Sequence, residues 1–200
     1  MHRPARRLAQ LYAGLVLYGV SMALQIRAGL GLDPWDVFHQ GVADRTGLSF
    51  GTVVAITGAV VLLAWIPLRQ RPGVGTISNV VVIAIAVDAA LAALPEAGST
   101  PVAGAMLLAG VGLNGVASGA YIGAGLGPGP RDGLMTGLVR RTGGSVRVVR
   151  TSIEVTVLAV GAGLGGTVGV GTVLYALSIG PLVHVLLPRL TVPAPAPAPA

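Results

Sequence analysis

The residues with the most chemical potential are two aspartates 96 positions apart. Asp36 lies in Gly29-Leu-Gly31…Pro34-Trp-Asp36, and Asp132 in Gly125-Leu-Gly127…Pro130-Arg-Asp132. Each follows a proline by two residues, which suits the first turn of a short helix, where a carboxylate favours free N–H groups. Three further polar groups, Asp88, Glu154 and Asn114, fall inside or near the ends of apolar runs. An ionisable side chain at the centre of a bilayer costs about 2.5–3.5 kcal/mol on insertion scales, so such groups turn inward and carry protons or ions or pair structurally. Glu154 has a structural partner in reach, Arg150, one helical turn before it. Arg45 and Arg141 recur in Arg-Thr-Gly-x-Ser at the same 96-residue offset. They are placed to pair Asp36 and Asp132 or to hold an anion. Together Asp36, Asp132, Glu154, Asp88, Asn114, Arg45 and Arg141 are the candidate solute or ion path. Gly29, Gly31, Pro34, Gly125, Gly127, Pro130, Gly75 and Gly171 are candidate helix breaks or gates.

Several chemistries are not expected. His2, His39 and His184 are scattered, there is no cysteine, and neither a Ser-His-Asp arrangement nor metal-ligand spacing is visible. The glycine-rich turns follow no strand, which argues against a dinucleotide or phosphate-loop site. The expectation is a protein that is not an enzyme and uses no metal or cofactor.

The elements that position these groups follow from composition. Of 200 residues 53% are hydrophobic and 10% are charged, and the mean hydropathy is +0.80. Soluble domains carry about 25% charged residues, so too little charge is present to cover a soluble surface. A polytopic membrane protein remains, with six apolar runs: Leu8–Ala28, Phe50–Leu68, Thr76–Leu94, Val102–Ile122, Val146–Leu164 and Thr172–Leu187. The runs are continuous and do not alternate, so helices are expected and a membrane barrel is not. The first run is longer than a signal peptide's apolar core and is read as a retained span.

The net charge is +6 and every cation is arginine. The arginines sit in short clusters between the runs, so no nucleic-acid face is expected. Eleven arginines fall on one side of the alternating topology and only Arg27 and Arg45 on the other. The positive-inside bias then predicts cytoplasmic N- and C-termini in a bacterial inner membrane. Trp35 and Trp65 fall near span ends, where interfacial indoles are common. The tail Thr191–Ala200 ends in alternating Pro-Ala and is read as an extended, disordered end.

The chain also repeats itself. Aligning Leu11–Leu94 with Leu107–Leu190 without a gap gives about 30 identities in 84 pairs, including Pro-x-Asp, Arg-Thr-Gly-x-Ser and Gly-Val-Gly-Thr. Each half holds three runs, so the second half enters from the opposite side. The predicted fold is all-α: six transmembrane helices as two inverted three-helix repeats, residues 8–94 and 102–190 of a single membrane domain. Each repeat has a short interfacial or re-entrant helix after its first span, Pro34–Ala43 and Pro130–Val139. Thr76 and Thr172 are expected as helix N-caps. The stripes Gly115, Gly119, Gly123 and Gly161, Gly165 are expected to pack helices closely.

Ala28-Gly-Leu-Gly…Pro34-Trp-Asp36, Gly73-x-Gly-Thr76, Pro130-x-Asp132-Gly-Leu-Met135, Glu154 and Gly165-Gly-x-Val-Gly-x-Gly-Thr172…Ile179-Gly-Pro181 form a recognisable set. Over nearly the whole chain it resembles the YczE/YitT-type bacterial integral membrane proteins. The resemblance implies a multi-span cytoplasmic-membrane protein and brings no substrate or catalytic residue with it.

Inverted repeats recur in secondary transporters. The expected function is a small-solute or ion permease with its path between the halves. The alternative is a non-transporting regulatory or scaffold protein that binds a partner. A polar cavity at mid-depth favours the first, and a dry glycine-packed interior favours the second. The bilayer is the expected surrounding. Six spans in 200 residues leave little room for a deep private cavity, so a homodimer is an option, although no motif specifies it.

Overall fold

The computed structural model describes residues 4–193. The Pro-Ala portion of the tail, residues 194–200, lies outside them. The described chain is all-helical: α1 (Pro4–Ala28), α2 (Pro34–Thr46), α3 (Phe50–Trp65), α4 (Val74–Ala93), α5 (Thr100–Gly123), α6 (Pro130–Thr142), α7 (Val146–Gly163) and α8 (Val170–Leu190). Helices α1, α4, α5 and α8 are long and apolar enough to cross a membrane. Helices α2 and α3 form a pair bent by 116° that counts as a fifth candidate if taken as one broken span. The other two expected spans are marginal for physical reasons. Helix α3 alone has 16 residues. Helix α7 has 18 but carries Arg147, Arg150 and Glu154.

Local sequence sets the short helices. Asp33 caps α2, its Oδ1 accepting from the Trp35 and Asp36 amides at 2.9 and 3.1 Å. Pro34 and Pro130 open α2 and α6, and Gly47 and Gly143 close them in the left-handed region at φ 71° and 69°. Ser49 and Ser145 cap α3 and α7 by accepting from the Thr52 and Val148 amides. Thr76 and Thr172 are not the caps. They sit at the third helical position, where each Oγ1 accepts from the amide of the true cap, Gly73 or Gly169, at 3.1 and 3.2 Å.

The long helices form the core. Helices α1 and α5 run antiparallel: Gln10 near the start of α1 donates to the Ala120 carbonyl, whereas Ser21 meets Asn114. Helices α1 and α4 run parallel, joined by Tyr12–Ser78 near their starts and Arg27–Leu91 near their ends. Helices α5 and α8 also run parallel, with Gly115 against Leu182 and Gly123 against Leu190. Small residues permit these approaches. A Cβ on Gly14 would lie 2.8 Å from the Tyr121 amide and 3.1 Å from the Ala117 carbonyl. One on Gly110 would lie 2.8 Å from Gln25 Cγ and 3.1 Å from the Ser21 carbonyl. These two contacts exchange under the 96-residue offset, since Gly110, Gln25 and Ser21 correspond to Gly14, Tyr121 and Ala117.

The turns show the same exchange. The Gly171 amide donates to the Leu30 carbonyl at 2.7 Å, and the Gly75 amide to the Leu126 carbonyl at 2.8 Å. Gly31 and Gly127 have φ +108° and +124°. A Cβ on Gly31 would sit 2.6 Å from the Gly169 amide nitrogen, and one on Gly127 2.8 Å from Thr76 Oγ1. Left-handed strain and collision add, so Gly31→Ala and Gly127→Ala are each expected to cost about 1–3 kcal/mol. Thermal unfolding in detergent checks this, and unchanged melting would contradict the close approach.

One seam is not reciprocated. Asp88 on α4 accepts from the Ser49 hydroxyl at 2.6 Å and the Gly51 amide at 2.7 Å, clasping the start of α3 to α4. At the 96-residue offset its counterpart is His184 on α8, and those of Ser49 and Gly51 are Ser145 and Arg147 at the start of α7. Among the described residues α7 makes no comparable seam with α8. It packs its C-terminal end on α2, with Gly161 against Val37 and Phe38. Hydrogen bonds to a charged acceptor contribute about 1.5–3 kcal/mol. Asp88→Ala is therefore expected to release the first turn of α3, read as faster amide exchange at Gly51 and Thr52.

Candidate functional site

A cavity of about 260 Å³ lies where the two halves meet, lined by residues of all eight helices. Its floor is made by the facing starts of α2 and α6. Arg131 of α6 lies over the ring of Trp35 of α2, with the guanidinium carbon 4.9 Å from the ring centroid. Trp35 and Arg131 are equivalent under the 96-residue offset, so the repeat brings two matched positions together and fills them with a π face and a cation.

Arg131 also faces the two carboxylates of the α2 start. Its Nη1 is 3.7 Å from Asp33 Oδ1 and its Nη2 is 3.6 Å from Asp36 Oδ1. These are ion pairs beyond hydrogen-bond length. Both aspartates are nearly inaccessible, at 2% and 1% exposure. Asp36 Oδ1 is also 3.1 Å from His39 Nδ1. Asp33 Oδ2 has no hydrogen-bond partner among the described residues. Asp132 lines the cavity and accepts from the Tyr121 hydroxyl at 3.2 Å. It forms no ion pair among the described residues. Tyr18, Tyr121 and Tyr175 complete an aromatic wall, with Tyr18 edge-on to Tyr121 at 6.0 Å between centroids.

Arg150 and Glu154 of α7 also line the cavity and pair with each other at 2.9 Å. Their side chains are 53% and 38% exposed, so the charged groups on the α7 wall reach the protein surface. The opposite wall, α3 against α4, is held shut by the Asp88 clasp.

The predicted path residues divide accordingly. Asp132 and Glu154 line the cavity, and Asp36 sits behind it as an ion-pair partner of Arg131. Asp88 closes the α3–α4 seam. Asn114 is fully buried, donating to Ser21 Oγ at 2.9 Å and accepting from the Tyr175 hydroxyl at 3.0 Å. Arg45 and Arg141 neither pair the carboxylates nor line the cavity. Arg45 donates to the Leu164 and Gly163 carbonyls, capping the end of α7, and Arg141 donates to the Pro67 carbonyl beyond α3. A cation at a helix C-terminus meets unsatisfied carbonyls, which explains the placement. Gly29, Gly31, Gly125 and Gly127 adopt positive φ in the two breaks, and Pro34 and Pro130 restart the chain as helix. Gly75 and Gly171 take the Leu126 and Leu30 carbonyls against their backbones.

The indoles differ from expectation. Trp65 is 2% exposed, lies over Gly133 and donates to the Pro130 carbonyl at 3.0 Å, while Trp35 faces the cavity. Neither serves as an interfacial anchor. Of the expected glycine stripes, Gly115, Gly119 and Gly123 face α8, but Gly165 is a left-handed turn after α7 at φ +102°. Arg131, Asp33 and the three tyrosines were not singled out by sequence. The available signal was Arg131 beside Asp132 in a turn that the other half fills with tryptophan.

The family model that describes a family of unknown function, DUF6198, matches residues 5–188. The chain belongs to the DUF6198 family. An uncharacterized protein of Haemophilus influenzae is 40% identical over 179 residues, covering 88% of this chain and 81% of the relative. The uncharacterized membrane protein YczE of Bacillus subtilis is 35% identical over 181 residues, covering 89% and 84%. No solved structure matches. This DUF6198 chain is a membrane protein, as the YczE relative's name and its own apolar helices agree.

Proposed function

We propose that the protein is a small-solute transporter of six spans arranged as two inverted repeats, with the solute path through the cavity between them. The observation that carries this is the cavity itself, which is lined from both halves and holds ionisable side chains within a largely apolar wall, with exposed Arg150 and Glu154 on the α7 side while the equivalent α3–α4 seam is clasped. Alternating access requires one scaffold with two such seams, only one of them open at a time.

The six-span arrangement has topological support. Helices α1 and α4 run parallel, so the chain between them returns along the bundle, and α2 with α3 supplies that return. Helices α5 and α8 impose the same on α6 and α7. The exchanged contacts of Gly14 with Gly110, and of Leu30–Gly171 with Leu126–Gly75, support a pseudo-two-fold axis in the membrane plane. The arginines favour cytoplasmic termini in an inner membrane, which would put the exposed Arg150 of the α7 wall inside. Arg131 is spent in the buried cluster, and the remaining arginines still divide ten against two. The proposal involves no covalent chemistry and no cofactor.

The test is flux in proteoliposomes against a panel of labelled ions and small metabolites. The wild type is expected to move at least one of them, and Asp132→Asn to abolish that flux while the protein remains folded. Absence of flux for the whole panel, with a specific protein co-purifying, would favour the regulatory alternative.

A further inference from the structure

We propose that the cavity binds a small organic cation, an ammonium group held by Asp33 and Asp132 against the tyrosine wall. This deepens the transport assignment and rests on the same cavity. Charge is the first ground. Asp33, Asp36, Asp132 and Glu154 are set against Arg131 and Arg150, an excess of two carboxylates. The starts of α2 and α6 face the same space and offset this by about half a positive charge each. With the carboxylates ionised roughly one negative charge remains, and a buried charge calls for a cationic partner or a proton.

Geometry identifies where the partner belongs. Arg150 is engaged with Glu154, and Arg131 with Asp33 Oδ1 and Asp36. Among the described residues Asp132 accepts only from the Tyr121 hydroxyl. Asp33 lines the cavity at 2% exposure, and its Oδ2 accepts from no donor among the described residues. An ammonium N–H group satisfies such an oxygen. A metal ion suits the site less well. Hard cations take six or more oxygens, and no group of three or more His, Cys, Asp or Glu is gathered among the described residues. The rings of Tyr18, Tyr121 and Tyr175 add the attraction of aromatic faces for a cation. At about 260 Å³ the space suits a ligand smaller than a drug-sized molecule.

The test uses the full chain in lipid nanodiscs with 2-phenylethylamine. 2-Phenylethanol serves as neutral isostere and partition control, and phenylacetate as the anion. Binding is read from Trp35 fluorescence and by calorimetry. Saturable amine binding is expected, at least about tenfold tighter than either control. Asp132→Asn and Asp33→Asn should each weaken it at least about tenfold. Asparagine retains the α2 cap at position 33, and melting curves establish that both variants fold. Glu96→Gln, remote from the cavity, should leave binding unchanged. Equal binding of amine and alcohol, or intact binding in both aspartate variants, would overturn the proposal. Amine binding without flux of any solute would keep this site and remove transport. Flux of an anion or neutral solute without amine binding would keep transport and remove this site.

Discussion

Replacing Arg131 by methionine is expected to be the most damaging single substitution in the protein, lowering stability by about 3–5 kcal/mol. Methionine keeps much of the side chain's length and packing over Trp35 but removes the charge. Asp33 and Asp36 would then face each other at 2% and 1% exposure with His39 as their nearest remaining partner. The loss comes from leaving two buried carboxylates uncompensated, not from the pair's net contribution. The companion experiment therefore removes the carboxylate charges as well. Asp33→Asn and Asp36→Asn added to Arg131→Met should recover most of the stability, read by thermal or detergent unfolding of the purified protein. Arg131→Lys should fall between, because it keeps the charge and loses the planar contact with the indole. If the methionine variant melted like the wild type, the ion cluster would not be holding α2 to α6.

The second large effect is steric. Gly133 lies beneath the Trp65 ring, where a Cβ would overlap the indole carbons. Trp65 is anchored in turn by its hydrogen bond to the Pro130 carbonyl. Gly133→Val is expected to cost about 3 kcal/mol or more, at the upper end for overpacking, because both ring and backbone are fixed. The two positions are also expected to be coupled. Trp65→Leu alone leaves a void, but combined with Gly133→Val it vacates the space that the valine then fills. A double-mutant cycle should then return an interaction energy of about 1–3 kcal/mol in the compensating direction. Simple additivity would show that α3 and α6 do not meet at this point. The second half places glycine on the other partner: Gly161 on α7 packs against Val37 and Phe38 on α2. Each α3–α6 or α2–α7 contact thus needs one small residue, and in both cases the second half supplies it, once from the short helix and once from the long one.

The scaffold was legible in the sequence because turn chemistry is restrictive. A backbone with φ above +100°, pressed against another backbone, accepts little except glycine, so Gly31 and Gly127 match. A helix restarting at once favours proline, so Pro34 and Pro130 match. Conserving the turn in both halves makes the 96-residue repeat visible. The cavity was hard to read for the opposite reason. Its lining is where the halves differ: Trp35 against Arg131, Asp33 against Gly129, Gln25 against Tyr121, Asn79 against Tyr175, Gly58 against Glu154. A search for matched residues passes over all of these.

Charge bias misled in a related way. Arg131 reads as one more cytoplasmic loop cation, because composition does not distinguish an arginine facing water from one enclosed by two carboxylates. Arg45 and Arg141 were matched and charged, which suggested a path. They matched because the ends of α7 and α3 need the same carbonyl cap. The expectation of little room for a cavity also failed. Short α2 and α6 both begin at the cavity with their starts facing each other, and the space beyond those starts remains open.

The most direct test of alternating access uses the absence of cysteine in the native chain. Met135→Cys places one thiol on the cavity wall. In oriented membrane vesicles, an impermeant thiol reagent is applied from one side at a time, with and without Asp88→Ala. The wild-type background should react only from the side bearing Arg140 to Arg150, and Asp88→Ala should add reaction from the opposite side. A thiol silent from both sides in both backgrounds, or reactive from both sides at once in the wild type, would contradict a cavity gated by two equivalent seams.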